Sequence, residues 1–246
     1  MENAAKELGC NVEIVDLTRN PEAAERYRVF FPFMTIIRDE IRTPGPVPAR
    51  ELVRMAREGM ESSKTVLKPL KPEGQAQTIS SLTVENVCDT CRLCNYDTTE
   101  ACEAKREWAC LVKEASGKEI IGFISYEGDE PIGAIEFIPA PLVPYPLPEK
   151  TPETAFITCV YSREDDVLDF RGQVLEHLIG HLPTLSYERV QVISGRRTAY
   201  PNGPAPLFAR HGFTEVMEVG SLILSMGEEE LVLMGRDLRT SRVPKA

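Results

Sequence analysis

From Thr78 onward the chain alternates strand-like and helix-like stretches in a set order, and that order constrains the fold most. "TISSL" reads as a strand, and Thr83 is placed to cap a helix running through "VCDTCRLC". "DTTEACEAKREWACLVKE" has Asp97 three residues before Glu100, the spacing of a capping box, and predicts a second helix. "EIIGFISYEGDEPIGAIEFI" reads as two strands around the turn "EGDEP", a hairpin. Six prolines between Pro139 and Pro152 make the next segment an extended surface loop. A strand in "TAFITCVYS", a helix in "DFRGQVLEHLIGHL" and a strand in "RVQVISG" follow. A short helix in "APLFARHG" and strands in "LILSM" and "ELVLMGRDL" complete the series.

Residues 10–62 are organised differently. "NVEIVDL" alternates like a half-buried strand, and "TRNPEAAERYRV" offers Asn20 as a helix N-cap with Pro21 in the first turn. "FFPFMTII" and "IRTPG" read as two strands, and Leu52, Val53, Met55 and Met60 give "VPARELVRMAREGMESS" helical spacing. This strand, helix, strand, strand, helix order, with Pro32 entering its third element, resembles the C-terminal two-thirds of a thioredoxin fold. In that family the proline is cis and faces a dithiol. Here the first strand and its Cys-x-x-Cys are absent, and only Cys10 lies in the unit. The resemblance therefore implies a truncated thioredoxin-like scaffold without dithiol exchange, or a true start codon upstream of Met1. The polar stretch "SKTVLKPLKPEGQAQ" reads as a linker. The expected division is residues 1–62, a linker at 63–77, and a second domain at 78–246.

Composition narrows the function class. At 246 residues, 42% hydrophobic and 27% charged, the chain is expected to be globular and soluble. It has no apolar run near the roughly 18 residues needed to cross a bilayer. The N-terminus lacks the regions of a secretory signal. Seven irregularly spaced cysteines argue against a disulfide framework and for a reducing cytoplasm. A net charge of −10 without a basic block argues against nucleic-acid phosphate as a partner. A protein acting on something small is expected.

The element order of residues 78–238 is similar to that of the GNAT superfamily of N-acetyltransferases. "NGPAPLFARHGFTEV" resembles the family's late motif, with Gly212 and Phe213 in place. "EPIGAIEF" resembles the hairpin strand that carries "-P-(V/I)-G-", and "VLEHLI" the helix after the phosphate-binding turn. The resemblance implies an α/β (α+β) fold, with a mixed, largely antiparallel central sheet flanked by helices. It further implies transfer of an acetyl group from acetyl-CoA (coenzyme A) to an amine, most naturally of a small molecule. A homodimer is left open.

On this resemblance, Thr158, Cys159, Val160 and Tyr161 form the strand edge that pairs with the pantetheine amides. Backbone N–H groups of Arg171, Gly172 and Gln173 would hold the pyrophosphate at a helix N-terminus. Asn202 and Phe208 complete the cofactor set. The family pattern (Q/R)-x-x-G-x-(G/A) is replaced by "DDVLDFRGQ", so Asp165, Asp166 and Asp169 would repel a pyrophosphate unless they turn away. Many members carry a tyrosine acid where Phe208 stands; Tyr200 or Tyr161 takes that role here. Glu136, or a water held by backbone carbonyls, is the base. The bland alternative puts Tyr200 in a loop and Glu136 in solvent. The proline-rich loop either shapes the acceptor site or merely connects.

Cys88, Cys91 and Cys94 would span roughly 120° of a helix, a broad stripe with Val84 and Val87. An apolar core contact and a zinc site drawing on Cys102 or Cys110 both suit them. His177 and His181 have the four-residue spacing of a metal pair but no accompanying motif, and His211 ends a helix; no metal is expected. Two further readings stand beside the enzyme: a degenerate, non-catalytic GNAT-fold binding protein, and a cysteine-based metal or redox sensor.

Overall fold

The computed structural model describes residues 2–17, 19–30, 33–45, 47–59, 63–66, 69–94, 97–163 and 167–239. Pro32, Met60, Asp165 and Asp166 lie outside the described residues. The N-terminal part holds helices α1 (Glu2–Leu8) and α2 (Glu22–Arg26), a hairpin of β1 (Met34–Ile37) and β2 (Ile41–Pro44), and helix α3 (Ala49–Glu58). The hairpin and α3 form where the sequence predicts them. "NVEIVDL" does not form a strand: residues 11–16 have no regular structure, and Ile14 is 86% exposed. A strand needs a neighbour for its backbone groups, and among the described residues none pairs with this stretch. Helix α2 starts one residue later than Asn20 would set it, with Pro21 at its N-cap, while the Asn20 amide donates to the Asp16 carbonyl.

The second part is built on seven strands. They are β3 (Thr78–Leu82), β4 (Gly122–Glu127), β5 (Glu130–Pro139), β6 (Thr154–Ser162), β7 (Arg189–Gly195), β8 (Thr214–Leu224) and β9 (Gly227–Asp237). Their order in the sheet is β3-β4-β5-β6-β7-β9-β8, and only β6 and β7 pair in parallel. This is the mixed, largely antiparallel sheet that the element order implies. Helices α4 (Asp89–Leu93) and α5 (Thr99–Ser116) precede the β4–β5 hairpin, α6 (Arg171–His181) joins β6 to β7, and α7 (Ala205–Arg210) precedes β8. One apolar cluster, with Ile124, Phe156 and Leu233, fills one face of the sheet. A second, with Phe123, Ile157, Leu175 and Phe208, packs α6 and α7 on the other.

Two helix starts differ from the capping patterns. Thr98 caps α5, its hydroxyl accepting the Ala101 N–H at 3.2 Å, so the Asp97–Glu100 box does not form. Thr83 caps no helix; its N–H donates to the Asn86 side chain, and helix begins only after Cys88. The cysteine stretch is therefore a turn and a short helix. Cys88 is joined to Cys102 by a disulfide, contrary to the expectation of unpaired thiols. The start of α5 brings Cys102 against Cys88, and sequence spacing alone cannot show that approach. Among the described residues no helix is long and apolar enough to cross a membrane.

The polar linker is docked rather than free. Thr65 N–H donates to the Glu228 carbonyl, and its hydroxyl donates to Glu229 at 2.6 Å. Farther on, residues 72–77 cross the N-terminus of α6 before entering β3.

Candidate functional site

Strand β6 pairs with β7 only from Thr154↔Arg189 to Ile157↔Val192. Beyond Ile157 the strands part, so residues 158–161 face an opening rather than a neighbour. On the β5 side a bulge leaves Thr158 without a partner, between the Cys159↔Glu136 and Ile157↔Phe137 pairs. A bulge bends a strand and re-aims its side chains. The Thr158 hydroxyl is buried with no hydrogen-bond partner. Across the opening, the buried Asn202 side chain donates to the Ile193 carbonyl at 3.1 Å and so closes β7. The opening thus has one occupied wall and one open wall, and the open wall is β6.

A cavity of about 2100 Å³ adjoins the parting of the strands, with Thr158, Cys159, Tyr161 and Glu136 in its wall. The proline-rich loop forms part of the same wall through Tyr145 and Leu147. Glu136 is 1% exposed, not solvated. Lys105 of α5 donates to its Oε2 at 2.6 Å, while Oε1 has no partner. The Lys105 ammonium also lies 3.4 Å from the Tyr161 hydroxyl and 4.7 Å from the centre of the Trp108 ring, a cation–π contact. Burial works against the Lys105 charge, but the Glu136 carboxylate overcomes it and holds its pKa above the ordinary lysine value. Burial, with Glu136 next, pushes Tyr161 well above the ordinary tyrosine range. Burial likewise raises the Cys159 thiol to about 12 and the Cys94 thiol to about 11. Tyr161 and the two thiols therefore keep their protons at neutral pH.

Tyr200 is half-buried against the core, and burial, with Cys159 next, raises it to about 12. Val160 and Phe208 turn away from the opening. Val160 lies in the second core cluster, and Phe208 is fully buried there, edge-on to Phe213 at 5.5 Å. Phe208 is a core residue because α7 lays its apolar side on the sheet.

The turn before α6 is tied to the rest of the chain by several bonds. The Asp169 N–H donates to the Pro72 carbonyl at 2.8 Å, the Phe170 N–H to the Ser162 hydroxyl at 3.1 Å, and the Arg171 N–H to the Asp169 carboxylate at 3.0 Å. The Arg171 guanidinium makes two further bonds to Asp169, at 2.9 and 2.7 Å. Burial alone would raise Asp169, but the Arg171 bonds and charge hold its carboxyl below the usual range. The Gln173 side chain accepts the Ala76 N–H, and a side chain at Gly172 would meet the Glu73 carboxylate at 3.2 Å. Gln173 thus holds the linker directly, and Arg171 holds Asp169, whose backbone bonds Pro72 and Gly74.

The histidines form no such centre. His177 and His181 stack at 4.1 Å beside Phe123, and His211 is buried between Glu73 and Glu176. Among the described residues no three His, Cys, Asp or Glu side chains are gathered as metal ligands. Sequence reasoning did not single out Lys105, Trp108 or Glu73. The available signal for the first two was a stripe on α5: Lys105 shares its inward side with Ala101, Trp108 and Val112.

No family model matches the chain, and no curated protein matches it. Solved structures do. An N-acetyltransferase from Staphylococcus aureus Mu50 is 15% identical with a TM-score of 0.50, over 68% of this chain and 100% of that one. The yncA protein of Salmonella typhimurium, solved with its cofactor acetyl-CoA, is 16% identical with a TM-score of 0.52, over 70% of this chain and 99% of that one. At such identities the likeness is one of fold: the chain shares the fold of these two acetyltransferase structures.

Proposed function

We propose that this chain is an N-acyltransferase that takes an acetyl thioester along the open edge of β6 and passes the acetyl group to a small amine. The observation that carries the reading is the end of β6–β7 pairing at Ile157↔Val192, beside a cavity that holds Glu136 and Tyr161. An extended amide-bearing arm can pair with residues 158–161 as a missing strand would. The free Oε1 of Glu136 receives the acceptor's ammonium and accepts its proton. Lys105 fixes the carboxylate from its other oxygen. Tyr161, protonated and buried, gives a proton to the departing thiolate. The carbon–sulfur bond breaks as the carbon–nitrogen bond forms. The second proton lost by the nitrogen replaces the one Tyr161 gave to the sulfur. The proton taken by Glu136 is released to water, so each turnover yields amide, thiol and one proton.

The experiment is thiol release from acetyl-CoA and from S-acetyl-pantetheine with a panel of amines. Glu136→Gln is expected to lower the rate by about 10²- to 10⁴-fold, the usual worth of a positioned base. An unchanged rate in that variant removes Glu136 from the chemistry.

A non-catalytic binding protein is the second reading, and one observation favours it: the N–H groups of Asp169, Phe170 and Arg171 are consumed internally. Calorimetry showing thioester binding, with no turnover of any amine, would favour it.

A further inference from the structure

We infer that the donor is held by its pantetheine arm alone and that the nucleotide end of coenzyme A contributes nothing to binding. The inference rests on the reading of β6 as the donor edge. It concerns the other end of the molecule.

A diphosphate at the start of α6 needs backbone donors, a guanidinium or both. Of the donors at the start of α6, the Arg171 N–H is taken by the Asp169 carboxylate, and the N–H groups of Asp169 and Phe170 just before it also have protein acceptors. The guanidinium of Arg171 is spent on Asp169, whose side chain is 3% exposed. The Glu73 carboxylate lies beside Gly172, 3.2 Å from where a side chain would start. His211 stands behind it, its Nε2 buried without a hydrogen bond, 3.9 Å from Glu73. The chain therefore places a carboxylate of its own beside the turn that the family pattern keeps for an anion. A second, doubly charged anion would meet Glu73 and Asp169 at close range.

The segment is seated rather than resting there by chance. The Asp169 carbonyl accepts the Gly74 N–H at 2.9 Å, which completes a short parallel bridge with the Pro72 carbonyl bond. Gly74 lies flat on the Phe170 ring, where a side chain would come within 2.4 Å of a ring carbon. Only glycine fits that approach, and "KPEGQ" supplies it next to Glu73.

The test compares acetyl-CoA with S-acetyl-pantetheine by calorimetry on the full chain, with adenosine diphosphate as a competitor. Each charge-assisted hydrogen bond to a phosphate would be worth about tenfold or more. The inference predicts that the two thioesters bind equally, within about threefold, and that adenosine diphosphate does not compete. In Glu73→Ala/Asp169→Asn, acetyl-CoA is expected to gain over S-acetyl-pantetheine as the two carboxylate charges are removed. Acetyl-CoA binding about a hundredfold tighter to the unaltered chain, or competition by adenosine diphosphate, overturns it. Failure of both thioesters to bind overturns the donor-edge reading itself, and the inference with it.

Discussion

The Lys105 ammonium sits 2.6 Å from Oε2 of Glu136, beneath the open edge of β6, and leaves Oε1 of the same carboxylate without a partner. The two residues come from different layers, α5 and β5, so the pair fixes the helix over the sheet as well as the carboxylate in the cavity.

Breaking this pair should destabilise the fold strongly. Lys105→Met leaves a buried carboxylate uncompensated and is expected to cost about 3–5 kcal/mol. The double variant Lys105→Met/Glu136→Met should recover much of that loss, because an apolar pair has no charge to desolvate. Urea unfolding of the two variants and the parent checks it.

The same pair sets an alkaline limit. A lysine raised in the folded state contributes stability that is full below its unfolded value of about 10.4 and is lost as pH rises through the folded value. Unfolding midpoints measured upward from pH 9 should fall more steeply in the parent than in Lys105→Met.

Asp169 sets a limit on the acid side, with the opposite sign. Its carboxyl is held low in the folded chain, so its contribution is present above about pH 3.9 and disappears as pH falls through the folded value. Hydrogen exchange at residues 169–171 should quicken in that range, and in Asp169→Asn it should be fast already at neutral pH.

The Cys88–Cys102 bond closes a loop of sequence separation 14, worth about 3 kcal/mol by loop-closure entropy. Reduction, or Cys102→Ser, should lower stability by that amount, and peptide mapping without reductant should recover the linked pair. With the bond intact, maleimide should label the exposed Cys10 and Cys110 first. Cys94 and Cys159, raised by burial to about 11 and about 12, should resist at neutral pH.

Much of the second part was legible in the sequence, because alternation and turn residues mark strands locally: "YEGDEP" turns β4 into β5 as expected. Glu136, Tyr161 and the open edge at residues 158–161 follow from where β5 and β6 lie in that order. What escaped depends on contacts distant in sequence. The polarity of "KPEGQ" says that the segment tolerates water; it does not say that the backbone of Pro72 and Gly74 bonds to Asp169. Lys105 looks like an ordinary solvated lysine until α5 is laid on the sheet opposite Glu136. "NVEIVDL" has strand alternation but no neighbour to pair with, and pattern alone cannot supply one.

The most direct measurement is hydrogen exchange of the chain with and without saturating S-acetyl-pantetheine, resolved to single amides. The account predicts slowed exchange within residues 158–161 and no change at residues 169–173. Unchanged exchange at residues 158–161 would contradict it.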